Sequence, residues 1–320
     1  MTDSDAPPRS LIVERIHREG PIPFNAFVEA ALYGPGGFFA SGGGAGRGGR
    51  DFITSPEVGP LFGGCVARFL DREWERLGRP DPFIVVDAGA GNGRLAREVL
   101  RAAPACAPAL HIVLVERSAA LREEQAERLT LEPFADVLGP AAVLDAGEAP
   151  ELVGGLGPIV SALDAMPARS IDGVILANEL LDNLAFDLLE RTEPGWAEVR
   201  VGLDPDEHFI EVLIPAAPHL AECVAEVDAP IGARLPTALE VSEWIVQSAS
   251  ILRRGSMLLL DYLQPWSELV DRGTGWLRTY SGHTRGSTPL DAPGTQDITI
   301  DVPIEVVRRA ARRASLSVAA

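Results

Sequence analysis

The 320 residues include 46 Asp and Glu against 28 basic side chains, a formal charge of −18 at pH 7, with 46% hydrophobic and only 6% aromatic residues. So acidic a surface repels a phosphate backbone, which argues against nucleic acid as a partner, and no apolar run reaches the roughly 18 residues of a bilayer span. All 28 basic residues are arginine, which excludes Schiff-base and phosphate-loop lysine chemistry.

Cys65, Cys106 and Cys223 are too few and too far apart for a disulfide framework or a CxxC site. The start "MTDSDAPPRS" is acidic and polar where a signal peptide needs positive charge and an apolar segment. Together these set the expectation of a cytoplasmic protein. His17, His111, His208, His219 and His283 show no HExxH or other metal spacing, so no metal is expected.

In chain order, residues 11–32 predict two short amphipathic helices broken at Gly20-Pro21. "YGPGGFFASGGGAGRGGR" (33–50) is too rich in glycine for a regular element and reads as a loop or lid. "TSPE" (54–57) then starts a helix that runs to about Leu77. Past Pro80 the pattern alternates. "FIVVDAG", "LHIVLVERS", "PIVSALDAM", "DGVILANELL" and "SMLLLDYL" read as apolar strands, separated by helical stretches such as "RLAREVLRAA" and "AALREEQAERL". Apolar strands alternating with amphipathic helices predict an α/β fold with a parallel sheet covered on both faces. "WAEVRVGLDPDEHFIEVLIP" (196–215) interrupts this as an antiparallel hairpin, expected at the edge of that sheet. The expected division is a helical cap and lid over 1–78 and a core over 79–320, with an insertion at about 190–237 and a shortened C-terminus.

The first strand ends in Asp87, followed by Gly89, Gly91 and Gly93. In a doubly wound sheet this is where ligands bind, and small residues let backbone approach them. A dinucleotide asks for GxGxxG, but Arg94 stands where the third glycine is needed. S-adenosylmethionine (SAM) carries a sulfonium and an ammonium, which suit an acid at Asp87, so the spacing favours SAM over NAD; a merely tight turn is the alternative use of such a glycine triplet. Glu116, ending the second strand, suits two ribose hydroxyls. Its alternative reading is a solvated strand end beside Arg117.

Seven segments, "GPIPFNAFVEAALYGPGGFF", "DFITSPEVGPLFG", "DAGAGNG", "ANELLDNL", "LLLDY", "WLRTYSGH" and "PGTQDIT", fall in order along almost the whole chain. Together they resemble the MidA-like family of SAM-dependent methyltransferases, whose mitochondrial members methylate an arginine of a respiratory complex I subunit. The resemblance implies a class I methyltransferase fold, Rossmann-like with a mostly parallel sheet, an N-terminal helical cap and an inserted hairpin and helical region. It implies SAM held by Asp87, Gly89, Gly91, Gly93, Glu116, Leu163 and Asn178 and by the turn Thr54-Ser55-Pro56-Glu57. Without the resemblance, that turn reads as an ordinary helix cap. The chain departs from the family pattern at Arg50, Asn183, Ala185, Leu263 and Asp301.

If the methyl acceptor is a guanidinium, carboxylates must orient it, localise its charge and accept a proton. Asn178 and Glu179 end the fourth strand, Asp182 lies three residues on, and these are the catalytic candidates, Glu179 and Asp182 as the clamp. Solvation of a turn is the alternative role for this acid pair. Asp261, Tyr262, Arg278 and Tyr280 are candidate substrate contacts, and His283 is read as structural. The expected partner is a protein bearing an exposed arginine or a small-molecule acceptor, with no membrane and with homo-oligomerisation open. A SAM-dependent enzyme acting on a small molecule and a non-catalytic SAM-binding assembly factor are the alternatives.

Overall fold

The computed structural model of the chain describes residues 8–43, 60–133, 156–281, 284–286 and 288–319. They belong to two compact units, one drawn from 53–178 and 247–260 and the other from 1–52, 179–246 and 261–320. The units therefore interleave along the chain and do not follow a boundary near residue 78.

The first unit holds the parallel sheet, in strands β1 (Phe83–Ala88), β2 (Leu110–Val115), β3 (Ile159–Leu163), β4 (Ile171–Asn178) and β5 (Leu252–Leu260). All pair in parallel, in the order β5-β4-β1-β2-β3. Chain order reverses between β1 and β4, which places the topological switch point at the carboxyl end of β1. Every residue of β1 and β2 is buried. That is why both read as unbroken apolar runs: the sheet is covered on each face. Helix α1 (Pro60–Arg76) packs against α2 (Arg94–Arg101). The approach is close because Gly63 has no side chain; a Cβ there would lie 2.5 Å from Glu98 Cβ. Helix α3 (Ala119–Arg128) is capped by Ser118, whose hydroxyl accepts from Leu121 N–H.

The second unit begins with the two expected N-terminal helices, Pro8–Glu19 and Phe24–Tyr33. The hairpin forms, with strands Gly195–Leu203 and Phe209–Pro215 paired antiparallel, but its predicted location needs correction. It is no edge of the parallel sheet. Its longer strand pairs with Leu188–Thr192 and with Ile22–Pro23, and Leu188–Thr192 pairs in turn with Arg234–Pro236, making a separate antiparallel sheet. The reason is hydrogen-bond supply: Gly195–Leu203 has partners on both sides within its own unit. A smaller antiparallel sheet joins Thr284–Arg285, Leu277–Ser281 and Asp297–Ile300, and Leu263–Gln264 pairs with Val302–Pro303. No helix among the described residues is long and apolar enough to cross a membrane.

Candidate active site

The glycine turn lies at the switch point. Gly89, Gly91 and Gly93 adopt φ of 70°, 53° and 77°, a left-handed region that L side chains rarely enter, so three successive reversals are open to this sequence and to few others. The turn is laced to the neighbouring strand end. Gly89 and Ala90 both donate to Val115 O, Gly91 N–H donates to Glu116 Oε2 at 2.9 Å, and Gln125 Nε2 donates to Gly91 O at 2.6 Å. Glu116 Oε1 accepts from Ser118 N–H at 2.8 Å, and Glu116 N–H donates to Leu163 O. The ends of β1, β2 and β3 thus form one hydrogen-bonded rim. Glu116 closes the rim with one hydrogen bond to each carboxylate oxygen, and the further acceptor lone pairs of a carboxylate are what ribose hydroxyls would use.

Asp87 lies beneath that rim, 3% exposed, and its Oδ2 has no hydrogen-bond partner among the described residues. Burial first, and the charge of Glu116 second, push its pKa up to about 7. A buried carboxylate oxygen left without a donor costs free energy that a cationic or hydrogen-bonding ligand recovers. The residues therefore fit SAM, whose ammonium supplies both charge and donors. The Thr54-Ser55-Pro56-Glu57 turn, the glycine stretch from Gly44 onward and His283 lie outside the described residues.

Asn178 and Leu260 are register partners at the carboxyl ends of β4 and β5. The next residue along the chain from each is an acid, Glu179 and Asp261, and both belong to the second unit. Glu179 has φ of +51°, an uncommon conformation for a residue with a Cβ that costs on the order of 1 kcal/mol and that Arg79, Ala103, Glu207, Ala238 and Ser315 share. The turn Leu181–Asn183 follows. Its geometry is pinned from two directions: Leu181 N–H donates to Asp261 Oδ2 at 2.8 Å, and Asn183 Nδ2 donates to Asp297 Oδ1 at 2.8 Å.

Between those anchors Asp182 is 5% exposed. Its Oδ2 accepts from Thr299 Oγ1 at 2.6 Å, while Oδ1 has no partner among the described residues. Burial, then the charge of Asp261, with further contributions from Asp297 and Glu179, holds the Asp182 carboxyl well above the ordinary carboxylate range. Burial also raises Asp261, to about 6, against the lowering effect of the backbone N–H groups it accepts from. Four acids converge on one short turn.

Tyr262 and Arg278 border this cluster. The Arg278 guanidinium carbon sits 5.7 Å from the Tyr262 ring centroid, within cation–π range. Its Nη1 donates to Asp301 Oδ1 at 2.6 Å, and the other Asp301 oxygen accepts from Arg272 at 2.8 Å. Tyr280 lies two residues along the same strand, opposite Asp297 in register. The second unit therefore gathers Glu179, Asp182, Asp261, Tyr262, Arg278 and Tyr280 about the turn and its anchoring strand. Sequence reasoning missed Asp297 and Thr299. Both stand in the quoted "PGTQDIT", two positions apart on a strand and so on one face. Asn183 and Asp301, which depart from the family pattern, are here an anchor of the turn and the partner of Arg278.

A switch-point glycine turn over a buried acid, on a β5-β4-β1-β2-β3 parallel sheet, defines a class I SAM-dependent methyltransferase, α/β with a mostly parallel sheet and an inserted hairpin region. Residues 65–320 match the family described as "Putative S-adenosyl-L-methionine-dependent methyltransferase", and the chain belongs to it. It is 30% identical to a Burkholderia thailandensis protein crystallised with S-adenosylhomocysteine, at a TM-score of 0.80 over 98% of this chain and 77% of that one. Among characterised relatives it is 28% identical to human "Protein arginine methyltransferase NDUFAF7, mitochondrial" over 94% of this chain and 68% of that protein. To the Drosophila melanogaster homologue it is also 28% identical, over 93% and 68%. These relatives are named as mitochondrial, which overturns the cytoplasmic expectation. A low cysteine count does not distinguish one reducing compartment from another.

Proposed function

We propose that this methyltransferase transfers the methyl group of SAM to an arginine of a protein substrate, with Asp87, Glu116, Leu163, Asn178 and the glycine turn holding the donor and Glu179 and Asp182 holding the acceptor. The observation that carries the acceptor half is the buried Asp182 Oδ1, without a partner among the described residues and set in a cluster of four acids. A guanidinium offers five N–H donors on a planar cation, and paired carboxylates recognise that shape and charge. The names of the relatives support the same substrate class.

When bound, SAM supplies an electrophilic methyl carbon on a sulfonium. The chain's contribution is alignment and proton management. Asp182 Oδ1 accepts one guanidinium N–H, held in place by the Thr299 hydroxyl on Oδ2. Asp261 keeps the turn at its observed position through Leu181 N–H. Glu179 orients a second N–H and localises the lone pair on the attacking nitrogen. As the new N–C bond forms and the C–S bond breaks, the nitrogen loses a proton, which a carboxylate of the pair accepts.

The test has two arms. Titration with SAM and S-adenosylhomocysteine is expected to show binding that Asp87→Ala with Glu116→Ala abolishes. Transfer of labelled methyl from SAM to an arginine-containing peptide is expected to fall at least a hundredfold in Glu179→Gln, with cofactor binding retained. Unchanged turnover in Glu179→Gln rules out its role.

A further inference from the structure

Arg278 poses a question that the reaction alone does not answer. Asp182 is near enough to act electrostatically on its guanidinium, and the arginine side chain is only 14% exposed. The chain thus carries its own arginine beside a cluster built for a guanidinium. Yet Asp182 Oδ1 stays without a partner among the described residues, and the Arg278 Nη1 hydrogen bond goes to Asp301. Asp301 is 2% exposed and spends its second oxygen on Arg272, so its position is fixed from both sides.

We propose that Asp301 is a positioning residue: it holds Arg278 out of the acid cluster and so leaves Asp182 open to a guanidinium from outside the chain. The proposal rests on the arginine reading of the site and adds its regulation. Physically it is a competition. A part-buried guanidinium that loses its carboxylate turns to the other charge that acts on it, and besides Asp301 the carboxylate acting on Arg278 is Asp182, held by Thr299, the register partner of Arg278. A tethered competitor acts at millimolar or higher effective concentration, so self-occupancy excludes a weakly bound substrate. Tyr262, whose ring lies under Arg278, helps to hold the outward position.

The test compares wild type, Asp301→Asn and Asp301→Asn with Arg278→Gln. All three are checked for S-adenosylhomocysteine binding and cooperative thermal unfolding. Carboxyl carbon NMR follows the titration of Asp182. Its midpoint is expected to fall by about one pH unit or more in Asp301→Asn, as Arg278 arrives, and to return in the double variant. An Asp182 midpoint in Asp301→Asn equal to that of wild type overturns the proposal. If Asp301→Asn does not fold, the double variant, which buries no unpaired charge, decides alone. A midpoint within about half a pH unit of wild type supports the proposal, and one raised by about a unit or more shows that Arg278 already serves Asp182 and overturns it. A separate calorimetric arm uses acetyl-Gly-Arg-Gly-amide with S-adenosylhomocysteine present. Affinity is expected to drop about tenfold in Asp301→Asn and to recover in the double variant. A wild type that does not bind this peptide counts against the arginine reading, and the Asp182 titration still judges the role of Asp301.

Discussion

Thr299 donates its hydroxyl to Asp182 Oδ2 at 2.6 Å, joining the strand Asp297–Ile300 to the turn Leu181–Asn183 at the centre of the acid cluster. Among the described residues it is the hydrogen bond that favours the ionised form of Asp182 against burial and three neighbouring negative charges. Removing it in Thr299→Val is expected to raise the Asp182 midpoint further and to slow methyl transfer about tenfold, the effect of about 1.4 kcal/mol. Thr299→Ser keeps the hydroxyl and is expected to retain most of the activity. Equal rates in Thr299→Val and wild type, measured with labelled SAM, count against this role.

The anchor on the other flank of the turn is structural. Asn183 Nδ2 donates to Asp297 Oδ1 and to Ile298 O, and the residue is 8% exposed. Asn183→Ala leaves a buried carboxylate without that donor and is expected to lower stability by about 1–3 kcal/mol in urea denaturation, with S-adenosylhomocysteine affinity unchanged. A shift of less than about 0.5 kcal/mol shows that the turn holds without it.

Asp87 ties cofactor binding to pH. Its pKa of about 7 in the ligand-free protein means that a cationic ligand requiring the carboxylate meets mostly the protonated form at pH 6. SAM affinity is therefore expected to rise about tenfold from pH 6 to pH 8. Asp87→Asn is expected to remove that dependence and weaken binding throughout. Calorimetry across the range decides, and a flat profile in wild type contradicts the assignment.

The same shifts govern stability with the opposite sense from most acids. Asp87 and Asp187 are pushed up to about 7 and Asp261 to about 6, from an ordinary 3.8, mainly by burial. A carboxyl that binds its proton more tightly when folded stabilises the fold fully below its unfolded pKa, and that contribution is lost as pH rises through the folded value. The ligand-free protein is expected to be more stable at pH 5 than at pH 8. Asp87→Asn is expected to recover on the order of 2–4 kcal/mol at pH 8 and little at pH 4, read by chemical denaturation.

Close helix packing supplies a test independent of chemistry. Gly63→Ala places a Cβ 2.5 Å from Glu98 Cβ and 2.9 Å from its carbonyl carbon. The clash is expected to exceed the gain in helix propensity, with a net loss of about 1–2 kcal/mol. A variant more stable than wild type shows that α1 and α2 can move apart at no cost.

Much of the parallel sheet is legible in sequence because its strands are buried on both faces. β1 and β2 have no exposed position, so their apolar runs identify themselves, and Asp87 and three glycines mark the turn that follows. The proposed cofactor side needs only residues near one another in sequence, plus one acid a strand away. The second sheet was hidden for the opposite reason. Ile22–Pro23, Leu188–Thr192 and Arg234–Pro236 are short, far apart in the chain and patternless until they meet Gly195–Leu203. The proposed acceptor site shares that character. Glu179 and Asp182 were visible as acids after a strand, but Asp297 and Thr299 join them from more than 110 positions away. The sequence by itself determined the glycine turn after β1, since left-handed backbone and a buried acid are local demands met by local residues. Only the tertiary structure decided which carboxylates share one turn, which of their oxygens stays without a donor, and which aspartate takes Arg278, because those are relations between distant segments that no local preference encodes.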